Sequence, residues 1–154
     1  MKDKILNKIF EWCKRHNRFR LILDRDGKTP YLERYYLLFK DRPVWFPFNI
    51  VLHKILRSDL DDLHDHPWPY ATIILKGGYW ETTLKGRFWR PAGWFTFRKS
   101  TSFHKLEIEE GVECWTLFFM GKRCREWGFL RDGVEWVEAE QYLAEREAGA
   151  DTPS

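Results

Sequence analysis

The chain is poor in several things, and each shortage closes off a class of protein. It has three cysteines, Cys13, Cys114 and Cys124. An odd count at those spacings fits neither a disulfide framework nor a zinc-binding set, and it predicts a reduced, cytoplasmic setting. No apolar run is long enough to span a bilayer, so no membrane association is expected. Met1 to Ile9 carries charges where a secretory leader needs an apolar stretch. A dominant charge sign is also lacking. The 26 basic and 23 acidic residues are interspersed and leave a net +3, which is no footprint for nucleic acid. The one basic cluster, Lys14, Arg15, His16, Arg18 and Arg20, reads as the solvated end of a helix. No DNA-binding helix pair, internal repeat, low-complexity block or linker breaks the chain, and 154 residues fit one domain.

Aromatic residues are abundant. They make up 18% of the chain and include nine tryptophans, a composition that argues for a packed core rather than disorder. Ile5, Leu6, Ile9, Phe10 and Cys13 recur at helical spacing and predict an amphipathic helix over residues 2–16. The period then shortens. Strand-like runs are predicted at 18–24, 31–39, 48–57, 70–76, 79–84, 88–90, 94–98, 103–108, 113–120 and 126–130, with Asp26-Gly27 as a turn. Gly77-Gly78 suits a tight hairpin between two of these runs. Many short strands with frequent turns indicate a sandwich or closed barrel. Residues 138–147 predict a C-terminal helix and 148–154 a frayed tail. The expected layout is an N-terminal helix over 1–17, a β-barrel over 18–137 and a C-terminal helix and tail over 138–154.

Only five histidines occur, at 16, 53, 64, 66 and 104. Two of them form Leu63-His64-Asp65-His66-Pro67. Residues two apart on an extended segment share a side, so His64 and His66 bring two imidazoles together while Asp65 points away. Such a pair alone also fits two ordinary polar histidines. A third ligand must come from another strand, and His104 starts a later one.

The surroundings of these histidines resemble the cupin superfamily. Its first motif is HxH, three or four residues, Glu, six residues, Gly, and here Gly77 and Gly78 fall at the two allowed positions. Its second is Gly, five residues, Pro-x-Gly, two residues, His. Gly93 and His104 are in register, with Lys99 and Thr101 in place of Pro and Gly. The likeness spans roughly residues 48–120. It implies an all-β fold, a single cupin (double-stranded β-helix, or jelly-roll) barrel with a short N-terminal helix and a C-terminal helix or tail. It also implies a divalent metal on His64, His66 and His104.

The usual Glu ligand is absent, since Tyr70 or Ala71 stands there. Three neutral imidazoles would leave coordination positions open, and imidazole suits Fe, Zn, Ni and Cu, with Mn a further candidate. The His-Asp-His sequence is similar to that of cysteine dioxygenase and related thiol dioxygenases, which use three histidines. That narrower resemblance implies Fe(II) as the favoured metal, and places Arg34 near an arginine that binds substrate carboxylate in those enzymes. Asp61, Asp62 and Asp65 are candidates to orient the ligating histidines.

Around the site, His53 and Arg57 are expected on one strand face as a polar pair, with His53 also a candidate fourth ligand. Trp68, Trp80, Trp115 and Phe119 are candidate lining residues, and Cys114 a small buried hydrophobe. Three functions follow. The first is an Fe(II) oxygenase acting on a small polar or thiol-containing molecule. The second is a metal-dependent isomerase or lyase acting on a sugar or small acid, in which Tyr70, Glu81 or Glu113 moves a proton. The third is a non-enzymatic metal or small-ligand binding module. The expected partners are a small-molecule substrate and a second copy of the chain, with Trp12 or Trp136 at the homodimer interface.

Overall fold

A computed structural model describes residues 2–24 and 26–150. Helix α1 (Lys2–Arg15) opens the chain. Twelve strands follow: β1 (Phe19–Leu23), β2 (Pro30–Tyr36), β3 (Asn49–Ile55), β4 (Leu63–His64), β5 (Tyr70–Lys76), β6 (Gly78–Thr83), β7 (Gly86–Pro91), β8 (Phe95–Arg98), β9 (His104–Glu107), β10 (Cys114–Met120), β11 (Gly128–Arg131) and β12 (Glu135–Glu138). Helix α2 (Ala139–Ala150) ends the described chain. The strands build two six-stranded antiparallel sheets. The first runs β1-β2-β3-β10-β5-β8, and the second β12-β11-β4-β9-β6-β7. The result is a jelly-roll sandwich of two layers rather than a fully closed barrel.

Helix α1 forms because its apolar residues fall on one side. Leu6, Ile9, Phe10 and Cys13 pack on Tyr35, Leu52 and Trp115, on the outer face of the first sheet. The Phe10 ring stacks on Tyr35 at 4.2 Å and meets Trp115 edge-on at 4.9 Å. Each such buried side chain contributes about 1.5–3 kcal/mol, so an acidic residue at Phe10 would lift the helix off. The helix stops at Asn17, which takes a left-handed φ of 55°. Beyond it the Arg18 amide donates to the Cys13 carbonyl at 2.7 Å, satisfying an end carbonyl of the last turn. Lys14 and Arg15 in that turn complement the negative end of the helix dipole.

Three expectations need correction. Gly77-Gly78 is not a hairpin, because β5 and β6 lie in different sheets and do not pair. Gly77 is instead a corner between the layers. Its φ is 74°, and a Cβ there would come within 2.4 Å of the Glu113 carbonyl oxygen, so only glycine fits. The strands β4 and β12 were not expected; β4 is two residues long and β12 lies between the last predicted strand and the predicted C-terminal helix, where no element is assigned. The predicted frayed tail begins too early, since α2 continues to Ala150; residues 151–154 lie outside the described residues.

Tyr142 of α2 stacks on Phe129 of β11 at 4.1 Å, and with Val137 they close one end of the sandwich. Among the described residues, no helix is long and apolar enough to cross a membrane.

Candidate metal centre

The inner face of the second sheet carries the histidines. His64 on β4 lies directly opposite His104 on β9, and His66 follows two residues after His64. The three side chains each offer a nitrogen, and these nitrogens lie within 4.8 Å of one another. His66 Nε2 and His104 Nε2 are 2.9 Å apart. Desolvation is the main cause that lowers the His64 pKa, to about 4, and it drives His66 well below its usual value, aided by the charge of His104. Neutral imidazoles are the form that ligates a metal. Three soft-to-borderline nitrogen donors converging on one point are a donor set that fits a divalent cation.

What holds this arrangement was only partly visible in the sequence. Asp65 does point away from the histidines, but it does not orient their rings. It is fully buried. Its carboxylate accepts from the Gly128 amide at 2.7 Å and the Trp136 indole at 3.1 Å, and pairs with Arg125. It therefore pins the segment between the two ligands to the β11–β12 ribbon. Asp62 accepts from the Tyr142 hydroxyl at 2.8 Å and Asp61 pairs with Arg146 at 3.9 Å, tying the preceding loop to α2. Trp136 is thereby partly engaged within the chain, while Trp12 stacks on His16 at 4.7 Å.

The carboxylate that orients a ligand is Glu81. It sits on β6, 1% exposed, and its Oε1 lies 3.1 Å from His104 Nδ1. Its Oε2 accepts from Arg90 Nε at 2.9 Å and Arg98 at 2.6 Å. Burial pushes the Glu81 carboxyl up, but the His104 hydrogen bond and the two guanidiniums outweigh it and hold its pKa at about 2. An ionised acceptor at Nδ1 fixes that nitrogen as the N–H donor and turns Nε2 toward the site. Tyr70, from β5 of the opposite sheet, places its hydroxyl 3.1 Å from the same Nε2. Burial and the nearby Glu81 charge keep the Tyr70 phenol protonated, well above its ordinary pKa.

The histidines open on a cavity of about 620 Å³ between the sheets. Arg34, His53 and Trp68 line it. Arg34 on β2 and His53 on β3 are cross-strand neighbours, so the polar partner of His53 is Arg34 and not Arg57. Arg57 lies beyond the end of β3 and pairs with Asp24 at 3.4 Å, exposed. Trp115 is displaced as well. On β10 the residues lining the cavity are Thr116, Phe118 and Met120, so Trp115 and Phe119 face outward, Trp115 into the α1 packing. Trp80 faces outward too, under the Arg87 guanidinium at 4.3 Å. Phe118, which the sequence reading passed over, stacks on Tyr70 at 4.8 Å and lies 4.9 Å from His53. Cys114 is buried in the core, where desolvation raises its thiol pKa to about 12, and Glu113 pairs with Lys54 at 2.7 Å at the surface.

No protein-family model matches the sequence, and no curated protein does. Solved structures do match in fold. A cupin-2 domain protein of Rhodospirillum rubrum superposes with a TM-score of 0.57 at 10% identity, over 72% of this chain and 73% of that one. An RmlC-like cupin of Ralstonia eutropha gives 0.54 at 15% identity, over 90% and 88%. The fold is that of the cupins. A third match, the Fe(II) form of HppE, gives 0.51 at 14% identity, over 67% of this chain and 55% of that one. On that fold, His64, His66 and His104 converge from two strands and the segment that follows β4.

Proposed function

We propose that this cupin is a non-heme Fe(II) oxygenase acting on a small organic molecule bound between its two sheets. The observation that carries the reading is the ligand set: among the described residues His64, His66 and His104 converge with no carboxylate in the group, and Glu81 stands behind His104. Such a set leaves positions for substrate and O2 while keeping the full charge of the ion. Bound there, Fe(II) would supply Lewis acidity and the electrons for O2 chemistry. Everything else falls to the chain. His64, His66 and His104 hold the ion, Glu81 with Arg90 and Arg98 fixes the His104 ring, and Phe118 and Trp68 keep the cavity dry. The Tyr70 hydroxyl is within hydrogen-bond reach of the ligand shell and offers a proton. The fold shared with an Fe(II) protein, HppE, supports iron over zinc, nickel, manganese or copper.

That same phenol favours a second reading, a metal-dependent isomerase or lyase in which Tyr70 protonates a substrate oxygen polarised by the ion. Elemental analysis of protein purified without added metal, followed by O2-electrode measurements with candidate substrates, separates the two. The oxygenase reading expects about one iron per chain and turnover that stops under argon. Equal turnover with Zn(II) under argon would overturn it in favour of the second reading. Small thiols belong in the substrate panel, because the His-Asp-His resemblance points to them.

A further inference from the structure

The inner face of the first sheet reads as three parallel rows. Strand register places Leu32, Ile55 and Cys114 in one row, and Arg34, His53 and Thr116 in the next. Tyr36, Val51 and Phe118 form the third. A polar row is thus sandwiched between two apolar ones, opposite the metal centre.

The polar row is unfinished. His53 is 8% exposed and its Nε2 has no hydrogen-bond partner; neither has the buried Nε of Arg34, nor the buried indole nitrogen of Trp68. All three residues line the cavity. A buried polar group left unpaired costs about 1–3 kcal/mol, so three in one cavity, the Arg34 and Trp68 donors and the His53 ring nitrogen, mark a place where something else supplies the partners. The acids nearby are already engaged. Asp59 accepts from the Leu106 amide at 2.7 Å and from the Tyr31 hydroxyl, and Asp24 pairs with Arg57. Arg34 stays charged under any ordinary condition, so the missing acceptor is an anion. Beyond the polar row Ile22, Leu32, Ile55 and Leu106 supply a hydrocarbon wall, interrupted by Tyr31, Ser58 and the engaged Asp59. At about 620 Å³ it is far roomier than a small amino acid needs and lies within the range that holds drug-sized ligands.

From this juxtaposition we infer that the cavity takes an amphipathic carboxylate, its head on Arg34 and His53 and its hydrocarbon body against Leu32, Ile55 and Leu106. The inference rests on the metal-site reading above and names the substrate class for it.

The test uses the full chain, metal-free and loaded with redox-inert Zn(II). Straight-chain carboxylates from butanoate to dodecanoate are titrated by calorimetry, with the matching primary alcohols as neutral controls. Affinity for the acids rises about fourfold per methylene until the cavity is full, and each acid binds about tenfold or more tighter than its alcohol. Arg34→Gln erases the difference between acid and alcohol, Arg34→Lys keeps part of it, and Ile55→Phe brings the plateau to a shorter chain. Thermal melts of each variant establish that it is folded. Equal binding of acids and alcohols, or no dependence on chain length, overturns the inference. Zn(II) affinity is read on the same samples. Zn(II) binding without a chain-length series sinks this inference alone, and a chain-length series without Zn(II) binding sinks the metal reading alone.

Discussion

The two walls of the cavity contain the same kinds of residue in opposite states. Behind the second sheet's histidines the polar groups are largely paired: His104 rests on Glu81, and Glu81 rests on Arg90 and Arg98, with the Arg98 Nε left over. On the wall of the first sheet, Arg34 and His53 face the same space with donors unmade. A saturated network rigidifies and fixes ring orientation, while an unsaturated one is unstable until a ligand arrives. On the proposed reading, the difference separates what would hold an ion from what would take a substrate.

Three measurements break or sharpen that contrast. The largest effect is expected at Glu81. Glu81→Gln removes the ionised acceptor behind His104 and leaves two guanidiniums uncompensated, and it lowers metal affinity by about 10- to 100-fold, read by competition with a chromogenic chelator. An unchanged affinity would mean the network is packing only.

Next is the pH dependence of the metal-free protein. His64, with its pKa lowered to about 4, and His53 and His66, held well below their ordinary value by burial, bind protons in the unfolded chain before they do in the folded one. Stability is therefore full above pH ~6.5 and falls as pH drops from ~6.5 toward 4, by about 1.4 kcal/mol per pH unit for each histidine held neutral. Melting curves across that window in the presence of chelator measure it, and a flat profile would contradict the desolvated cluster.

The smallest effect is a gain. His53→Leu removes an unpaired buried nitrogen from the waiting wall and raises stability by about 1 kcal/mol in urea titrations, while metal affinity stays as it was. A loss of stability there would show that His53 is already satisfied.

The ligands were legible in the sequence because their placement is local: a period of two brings His64 and His66 to one side, and the spacing of Gly93 and His104 did the rest. The lining was legible only up to a choice of face. Strand β10 reads Cys-Trp-Thr-Leu-Phe-Phe-Met, apolar on both sides because α1 covers the outer one, so alternation could not tell Trp115 from Phe118. The pairing of His53 with Arg57 failed because the alternation was carried past Ile55, where β3 ends and the chain turns out to meet Asp24. Glu81 was visible as a lone acid on an aromatic strand, but its partners Arg90 and Arg98 come from the edge strands of two different sheets, a meeting that no local pattern announces.

That meeting has a mechanical side. His104 is gripped by Glu81 from its own sheet and by Tyr70 from the other, with Gly77 as the stiff corner between the strands that carry them. Any swelling of the sandwich pulls these two contacts apart at a single imidazole. The spectrum of an ion on that ring would then act as a strain gauge, reporting the spacing of the two layers as the cavity fills and empties.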